Sequence, residues 1–168
     1  MTVLEGRQLT QIYGDPCGRC VELTGDESGR NQCPECGSIV ACANVDLSVE
    51  RGEVLGVVGE SGSGKSSLAG LLAVEELEGT ASGTVSVTGH DGNLLAADYE
   101  TRHRLRTRDI GLVHQHIRDG LNLGFTGGGN VAEKLLSAGE RNFEAVRDRI
   151  RSLFAETEIP IERMDDPT

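Results

Sequence analysis

One glycine-rich stretch constrains the fold of this chain more than any other, and it reads Gly59-Glu60-Ser61-Gly62-Ser63-Gly64-Lys65-Ser66. It fits the pattern G-x-x-x-x-G-K-[ST] at each fixed position. The apolar run Val54–Val58 precedes it and predicts a buried strand, and Leu68, Leu71 and Leu72 follow at the spacing of one helix face. Strand, glycine loop and helix in this order form a phosphate-binding unit, because the loop N–H groups and the helix N-terminus point at one anion.

The loop therefore predicts binding of a nucleoside triphosphate together with Mg²⁺. Lys65 can reach the β- and γ-phosphates, and the Ser66 hydroxyl can ligate Mg²⁺. The alternative is a glycine-rich turn that contains Lys-Ser by chance, which the flanking strand and helix disfavour. The residues that we expect to contact the nucleotide here are Gly59, Ser61, Gly62, Ser63, Gly64, Lys65, Ser66 and Ser67.

Alternation of apolar residues predicts further strands. Thr2–Tyr13 alternates loosely, which is typical of an edge strand, and it ends at the turn Gly14-Asp15-Pro16. Other strands are predicted at Val45–Val49, Thr84–Thr88 and Ile110–Val113.

Capping residues and helical spacing predict three helices in the second half of the chain. The first is short and charged and covers Tyr99–Arg108. Asn130 is the predicted N-cap of the second, in which Val131, Lys134 and Leu135 follow at helical spacing. Asn142 is the predicted N-cap of the third. Its predicted apolar face consists of Phe143, Val146, Ile150, Leu153 and Phe154.

Four cysteines form two C-x-x-C pairs within a segment of low apolar content, Cys17–Cys36. The pairs Cys17-x-x-Cys20 and Cys33-x-x-Cys36 come close to the four-cysteine spacing of zinc ribbons. Four thiolates complete a tetrahedron around Zn²⁺ and leave no open position, so we expect the metal to be structural. Disulfides or a redox dithiol are disfavoured in a reducing cytosol, and an iron–sulfur cluster is an open alternative. Cys42 lies in an apolar stretch and is expected to be a buried free thiol.

Charge and hydropathy exclude some classes of function. The net charge is -11, and of the 16 basic residues only Lys65 and Lys134 are lysines, a balance that disfavours non-specific binding of nucleic acid. This acidic, lysine-poor composition suits a cytoplasm of high ionic strength, which favours a halophilic source, and an ordinary acidic surface is the open alternative. No stretch of about 18 apolar residues and no leader pattern occurs, so we expect a cytoplasmic chain that meets a membrane only through a partner.

The region around the glycine loop resembles a known family. Gly52–Ser67 resembles the Walker A region of ABC ATPases, and Ile110-Gly111-Leu112-Val113-His114-Gln115 resembles their strand and Q-loop. The resemblance implies an α/β fold: a P-loop NTPase core of ABC type with an antiparallel β edge, incomplete at the C-terminus. We expect residues 1–16 and 37–168 to form the nucleotide-binding domain, and residues 17–36 to form a zinc-ribbon-like insert.

Further matches resemble one subgroup, the ATP-binding subunits of phosphonate carbon–phosphorus lyase systems. They are Val113-His114-Gln115-His116, Asp119-Gly120-Leu121, Gly128-Gly129-Asn130, Ile159-Pro160 and Arg163–Thr168. Subunits of oligopeptide importers, the alternative subgroup, usually have Phe before the Q-loop glutamine, where this chain has His114. The two histidines that flank Gln115 are expected to hydrogen-bond at a subunit contact rather than to hold a metal.

The resemblance also implies roles for two residues outside the glycine loop. Tyr13 matches the aromatic residue that stacks on adenine, although a strand-end aromatic packed on the core is an open alternative. Gln115 matches the residue that contacts Mg²⁺ and the attacking water and senses the partner subunit, the alternative being a solvated loop amide. Lys65 and Gln115 are thus the expected catalytic residues, with ATP, Mg²⁺ and a structural Zn²⁺ as cofactors.

The partners implied are a second ATP-binding subunit, in a dimer, and either a membrane permease or a carbon–phosphorus lyase core complex. The family's signature loop, Walker B acids and switch histidine do not occur before Thr168, so we expect a truncated chain or fragment that binds ATP without efficient turnover. Two alternatives are a non-catalytic nucleotide- and zinc-binding module and a small P-loop kinase. The kinase would need a lid of arginines, and the basic cluster Arg102–Arg108 is better explained as a solvated face.

Overall fold

A three-stranded antiparallel sheet organises the first part of the chain in the computed structural model. Its strands are β1 (Thr2–Tyr13), β2 (Ile39–Glu50) and β3 (Thr80–Val87), in the spatial order β2-β1-β3. β1 pairs with both neighbours, so it is the central strand, and the prediction of an edge strand was wrong. Leu9 and Gln11 of this central strand are fully buried.

The structure describes residues 1–168 apart from the side chains of Ile117 and Asp119, so the Asp119 side chain of the subgroup match lies outside it. The chain divides into two units, Met1–Arg102 and His103–Thr168. Within the described chain, no helix is both long and apolar enough to cross a membrane.

Helix α1 (Lys65–Leu72) covers the sheet of the first unit. Its side chains Leu68 and Leu71 are buried, as the spacing predicted, and Leu72 is half-buried. Gly6 of β1 has no side chain to hold α1 away, since a Cβ there would lie 3.3 Å from Leu72 Cδ2. This packing fixes the start of α1, and with it the glycine loop, relative to the sheet.

Two predicted strands are absent from the described chain. Val54–Val58 has no strand conformation, and Val54 and Val58 are 95% and 94% exposed. Ile110–Val113 is likewise irregular, with Val113 exposed. A strand forms only where a neighbour accepts its backbone hydrogen bonds, and within the described residues no strand pairs with either segment.

The second unit is helical. Helix α2 (Tyr99–Arg108) leads into it with the predicted bounds, and α3 (Gly127–Ser137) and α4 (Phe143–Glu156) follow. Val146, Ile150 and Phe154 of α4 are buried against side chains of α3.

Helix caps and the apolar face of α4 were predicted in part. Asn142 caps α4 and accepts hydrogen bonds from the N–H groups of Glu144 and Ala145, as predicted. The N-cap of α3 is Thr126 rather than Asn130, because the helix already begins at the glycines. Phe143 is 76% exposed, since the apolar cluster of α4 begins only at Val146.

A candidate nucleotide site beside a cysteine cluster

The glycine loop reaches α1 through two residues in the left-handed region of backbone conformation. Gly62 has φ 81° and Gly64, the N-cap of α1, has φ 85°. Side chains other than hydrogen disfavour this region, which explains why the sequence places glycine at both positions. After Gly64 the first N–H groups of α1 have no acceptor within the helix, so they are available to an anion.

Lys65 folds back over its own loop. Its ammonium donates to the carbonyl oxygens of Gly59 at 2.8 Å and Glu60 at 2.5 Å, and it lies 3.2 Å from Ser63 Oγ. These acceptors hold the ammonium above the loop, where a bound phosphate would meet it. A phosphate is a stronger acceptor than a carbonyl, so an incoming triphosphate can take these hydrogen bonds over.

The loop rests directly on β2. A Cβ on Gly64 would lie 1.9 Å from the carbonyl oxygen of Ala41 and 2.8 Å from its carbonyl carbon. The backbone of the loop therefore approaches the backbone of the strand as closely as glycine permits. This contact ties the position of the phosphate-binding loop to the β1–β2 hairpin.

Tyr13 lies at the end of β1, beside the start of α1. It is half-buried, and its hydroxyl is 3.0 Å from the hydroxyl of Ser67. The fold thus brings Tyr13 next to the start of α1, which follows the glycine loop, although the two are far apart in sequence. Stacking of its ring on adenine stays a prediction.

Two other predicted site residues are exposed. Ser66 lies exposed in the first turn of α1, where its hydroxyl is open to a ligand. Gln115 is exposed in a bend of the second unit, before the turn Ile117–Gly120. Its predicted contact with Mg²⁺ stays a prediction, and so does the role of the flanking histidines.

The four paired cysteines come together as the spacing predicted. Their sulfur atoms all lie within 4.8 Å of one another. Cys17 Sγ is 3.8 Å from Cys20 Sγ and 3.7 Å from Cys33 Sγ, and Cys20 Sγ is 3.4 Å from Cys36 Sγ. We call these four residues the cysteine cluster.

The cluster geometry fits a tetrahedral thiolate site. Zinc–sulfur bonds of about 2.3 Å give a tetrahedron with sulfur–sulfur edges of about 3.8 Å, close to the distances observed. A disulfide would need about 2.05 Å, and all five cysteines of the chain are free. The disulfide alternative therefore finds no support. The description of the segment as zinc-ribbon-like stays a prediction.

Neighbouring polar groups and burial shift the pKa values of thiols in the cluster. The Ser38 hydroxyl, followed by the Ser38 N–H, lowers the pKa of Cys36 to about 6, whereas burial raises the pKa of Cys20 to about 12. Ser38 is itself buried, and its hydroxyl oxygen lies 3.3 Å from Cys36 Sγ, a contact that the sequence did not predict. Its position directly after the C-x-x-C-G turn was the available signal.

The cluster is anchored to the sheet rather than suspended from it. Cys20 and Cys33 are buried in one apolar group with Ile12 of β1 and Val40 of β2, which pair with each other. A bound metal would thus stiffen the end of the hairpin that carries Tyr13. Cys42, on β2, lies outside the cluster and is a free thiol as predicted, but it is half-buried rather than buried.

Comparison with known proteins gives a family match. Residues 42–166 match the family model described as ABC transporter. The phosphonates utilization ATP-binding protein PhnK of Escherichia coli is 36% identical to this chain over 124 residues, which cover 74% of this chain and 48% of that protein. The methionine import ATP-binding protein MetN of Myxococcus xanthus is 40% identical over 117 residues, covering 70% of this chain and 33% of that protein.

A solved structure supports the same fold. The dimeric post-hydrolysis structure of the ATP-binding cassette MJ0796 with ADP and Pi superposes with a TM-score of 0.73 at 22% identity, covering 98% of this chain and 61% of that one. The chain spans about half the length or less of the two curated relatives it matches. The predicted fold class, an α/β cassette with an antiparallel sheet, is confirmed.

Proposed function

The chain belongs to the ABC transporter family of ATP-binding proteins, and from that premise we propose that it binds Mg-ATP as part of a system for phosphonate uptake or carbon–phosphorus bond cleavage. The observation that best supports ATP binding is the glycine loop Gly59–Ser66, the P-loop. Lys65 is held above it, and the first turn of α1 is open to an anion. The family match decides against a small P-loop kinase.

The match to the E. coli phosphonates-utilization protein supports the phosphonate assignment. Within the matched region, His114 and His116 flank Gln115, the feature that distinguishes this chain from peptide-importer subunits. The methionine and peptide import proteins that also match cover less of this chain. Import of methionine or peptides is therefore the alternative assignment within the same family.

Different residues of this chain would contact the phosphates, the Mg²⁺ and the adenine of the nucleotide. Loop N–H groups and the positive end of α1 receive the phosphates, Lys65 neutralises the β- and γ-phosphates, and the Ser66 hydroxyl takes one position on Mg²⁺. Tyr13, held by Ser67, offers its ring to the adenine. Bound ATP would supply the phosphoryl group, and Gln115 would orient the attacking water.

The proposed partners follow from the same family. The solved structure of the cassette MJ0796 is dimeric, and we propose a second ATP-binding subunit as the immediate partner. A permease or a carbon–phosphorus lyase core complex would hold that dimer, at the inner face of the membrane in the permease case. The cysteine cluster would hold a structural Zn²⁺, because its four sulfurs fit a closed tetrahedral site.

Lys65→Ala tests nucleotide binding, and Lys134→Ala is the matched control because it removes the other lysine, which lies exposed on α3. Titration with a fluorescent ATP analogue in Mg²⁺ should show a large loss of affinity for Lys65→Ala and none for Lys134→Ala. The Lys65 ammonium contacts only its own exposed loop, so urea unfolding should give similar stabilities for both variants. Equal affinities would contradict the proposal.

Deletion of the gene in its source organism tests the substrate assignment. Loss of growth on methylphosphonate as the sole phosphorus source, with normal growth on phosphate, would support the phosphonate system. Normal growth on methylphosphonate together with loss of methionine or peptide uptake would support the import alternative. Re-expression of the Lys65→Ala gene serves as the control that ATP binding is required.

A non-catalytic nucleotide- and zinc-binding module is the second candidate function. The cysteine cluster favours it, because a closed thiolate site of this kind shapes a surface rather than performing chemistry. Restored growth with the Lys65→Ala gene, but not with a Cys33→Ser gene, would favour this candidate over the ATP-dependent system.

A further inference from the structure

A cavity of about 690 Å³ separates the cysteine segment from the P-loop, within the first unit of the chain. One wall is made by residues between Thr24 and Asn31, the floor by Val40–Ala43 of β2, and the facing wall by Glu60–Ser63. The volume is in the range of small-molecule binding sites. Because the facing wall is the P-loop, the cavity adjoins the place where a nucleotide would bind.

Arg30 is the one basic side chain among the residues that line this cavity. Its guanidinium has no hydrogen-bond or ion-pair partner among the described residues. Asp26 and Glu60 line the same cavity, and neither carboxylate pairs with it. The other arginine of the segment behaves differently, since Arg19 lies 2.7 Å from the Glu35 carboxylate. Arg30 thus presents an unpaired guanidinium to the cavity that adjoins the P-loop.

The backbone of Arg30 is held in place from both sides. Its carbonyl accepts a hydrogen bond from the N–H of Gly25 at 2.9 Å, and the next carbonyl, that of Asn31, accepts one from Val40 of β2 at 2.8 Å. Arg30 also lies between the two cysteine pairs in sequence, so metal binding closes the loop that carries it. The cluster and β2 together fix where the guanidinium can reach.

We propose that Arg30 contacts the phosphates of the nucleotide bound by the P-loop, and that the metal-bound cysteine cluster positions it. This inference rests on the proposed function, since it requires nucleotide in the P-loop. A guanidinium donates two parallel hydrogen bonds to phosphate oxygens, which suits a polyanion entering from the cavity. Asp26 and Glu60 repel phosphate, so they would face the accompanying Mg²⁺ or the ribose hydroxyls.

Three variants of the whole chain test the contact. Titration with a fluorescent ATP analogue in Mg²⁺ should give about tenfold weaker affinity for Arg30→Ala, the size expected for one lost charged hydrogen bond. Arg30→Lys should recover part of that loss. Arg19→Ala, the matched control from the same segment, should stay within about twofold of the parent chain, because Arg19 does not line the cavity.

A double-mutant cycle tests the link to the metal. The pair Cys33→Ser with Cys36→Ser should lose metal and should weaken ATP binding by about the same factor as Arg30→Ala. Adding Arg30→Ala to that pair should cause little further loss, because both changes remove the same contact. Ser48→Ala, on β2 but outside both the cluster and the cavity lining, should leave both metal content and affinity unchanged.

The outcomes separate this inference from the proposed function. Arg30→Ala affinity equal to that of Arg19→Ala, in chains that keep their metal and in which Lys65→Ala abolishes binding, would overturn the inference and leave the function intact. Full additivity in the cycle would overturn the positioning role of the cluster. If Lys65→Ala also binds normally, the proposed function fails and this inference fails with it.

Discussion

Replacing Gly64 by alanine should damage the nucleotide site through packing, whereas the same change at Gly62 should not. The two glycines have nearly the same φ, 85° and 81°, so both variants carry the same cost of left-handed backbone. They differ in their surroundings. A Cβ at Gly64 would lie 1.9 Å from the Ala41 carbonyl oxygen, and a Cβ at Gly62 would meet nothing within 4 Å.

The size of the difference follows from these contacts. A side chain in the left-handed region costs about 1–2 kcal/mol, which is the whole effect expected for Gly62→Ala. Gly64→Ala must also move the loop off β2, because a backbone carbonyl cannot turn aside as a flexible side chain can. Overpacking of this kind costs about 1–3 kcal/mol more, so Gly64→Ala should lower the free energy of unfolding by about 2–5 kcal/mol.

Tyrosine fluorescence in urea offers a local readout. The chain has no tryptophan and two tyrosines, Tyr13 and Tyr99, and both belong to the first unit. With a slope of about 1–3 kcal/mol per molar urea, each 1 kcal/mol moves the unfolding midpoint by roughly 0.3–1 M. ATP affinity should fall in parallel for Gly64→Ala, since the N–H groups at the start of α1 move with the loop.

Gly56→Ala is the control for this pair, because a Cβ there meets nothing within 4 Å and its φ is not left-handed. It should unfold at the midpoint of the parent chain. Equal midpoints for Gly62→Ala and Gly64→Ala would refute the conclusion that the P-loop rests on the backbone of β2.

Three further predictions concern the metal, the helical unit and pH. Protein purified without added metal should contain about one zinc per chain by elemental analysis, Cys33→Ser should lose it and Cys42→Ser should keep it; an iron–sulfur absorption band would contradict this. Phe154→Ala should lower the free energy of unfolding by about 3–5 kcal/mol in a circular-dichroism urea titration, whereas Phe143→Ala, at an exposed position, should change it by at most about 0.5 kcal/mol. The backbone N–H of Asn142, followed by that of Arg141, lowers the pKa of the Glu140 carboxyl. The contribution of this carboxylate to stability is therefore present above the usual carboxyl pKa and is lost as pH falls through the folded-state pKa. Glu140→Gln should therefore flatten the acid side of the melting-temperature profile, and superimposable profiles would contradict it.

Features with a local cause were predictable from the sequence. The bounds of α2 at Tyr99–Arg108 and the Asn142 cap of α4 depend on residues within one or two turns of each other. The two cysteine pairs come together because each pair lies on a tight turn, and the conformation of each turn is determined by its own residues. Thr126 was missed as the cap of α3 because three glycines, which have low helix propensity, follow it.

Strands were less predictable, because a strand is defined by its neighbours. The composition of Val54–Val58 fits a strand buried on both faces, yet no described strand lies beside it and its valines are exposed. β1 shows the opposite error, since its loose alternation gave no sign that it pairs on both sides. The proposed role of Arg30 could not be predicted for a similar reason: no motif around Arg30 indicates that the fold places it on a cavity shared with the P-loop.

The place of the cysteine segment in the chain determines its place in the fold. The segment joins Tyr13 to Ile39, and these two residues are paired at one end of the β1–β2 hairpin. The same end carries Ala41, on which the P-loop rests through Gly64, and Tyr13, which reaches Ser67 at the start of α1. Whatever folds between Tyr13 and Ile39 must therefore lie beside the phosphate-binding loop. The position of the insert is therefore itself an argument that a metal bound by the cysteine cluster would act on nucleotide binding.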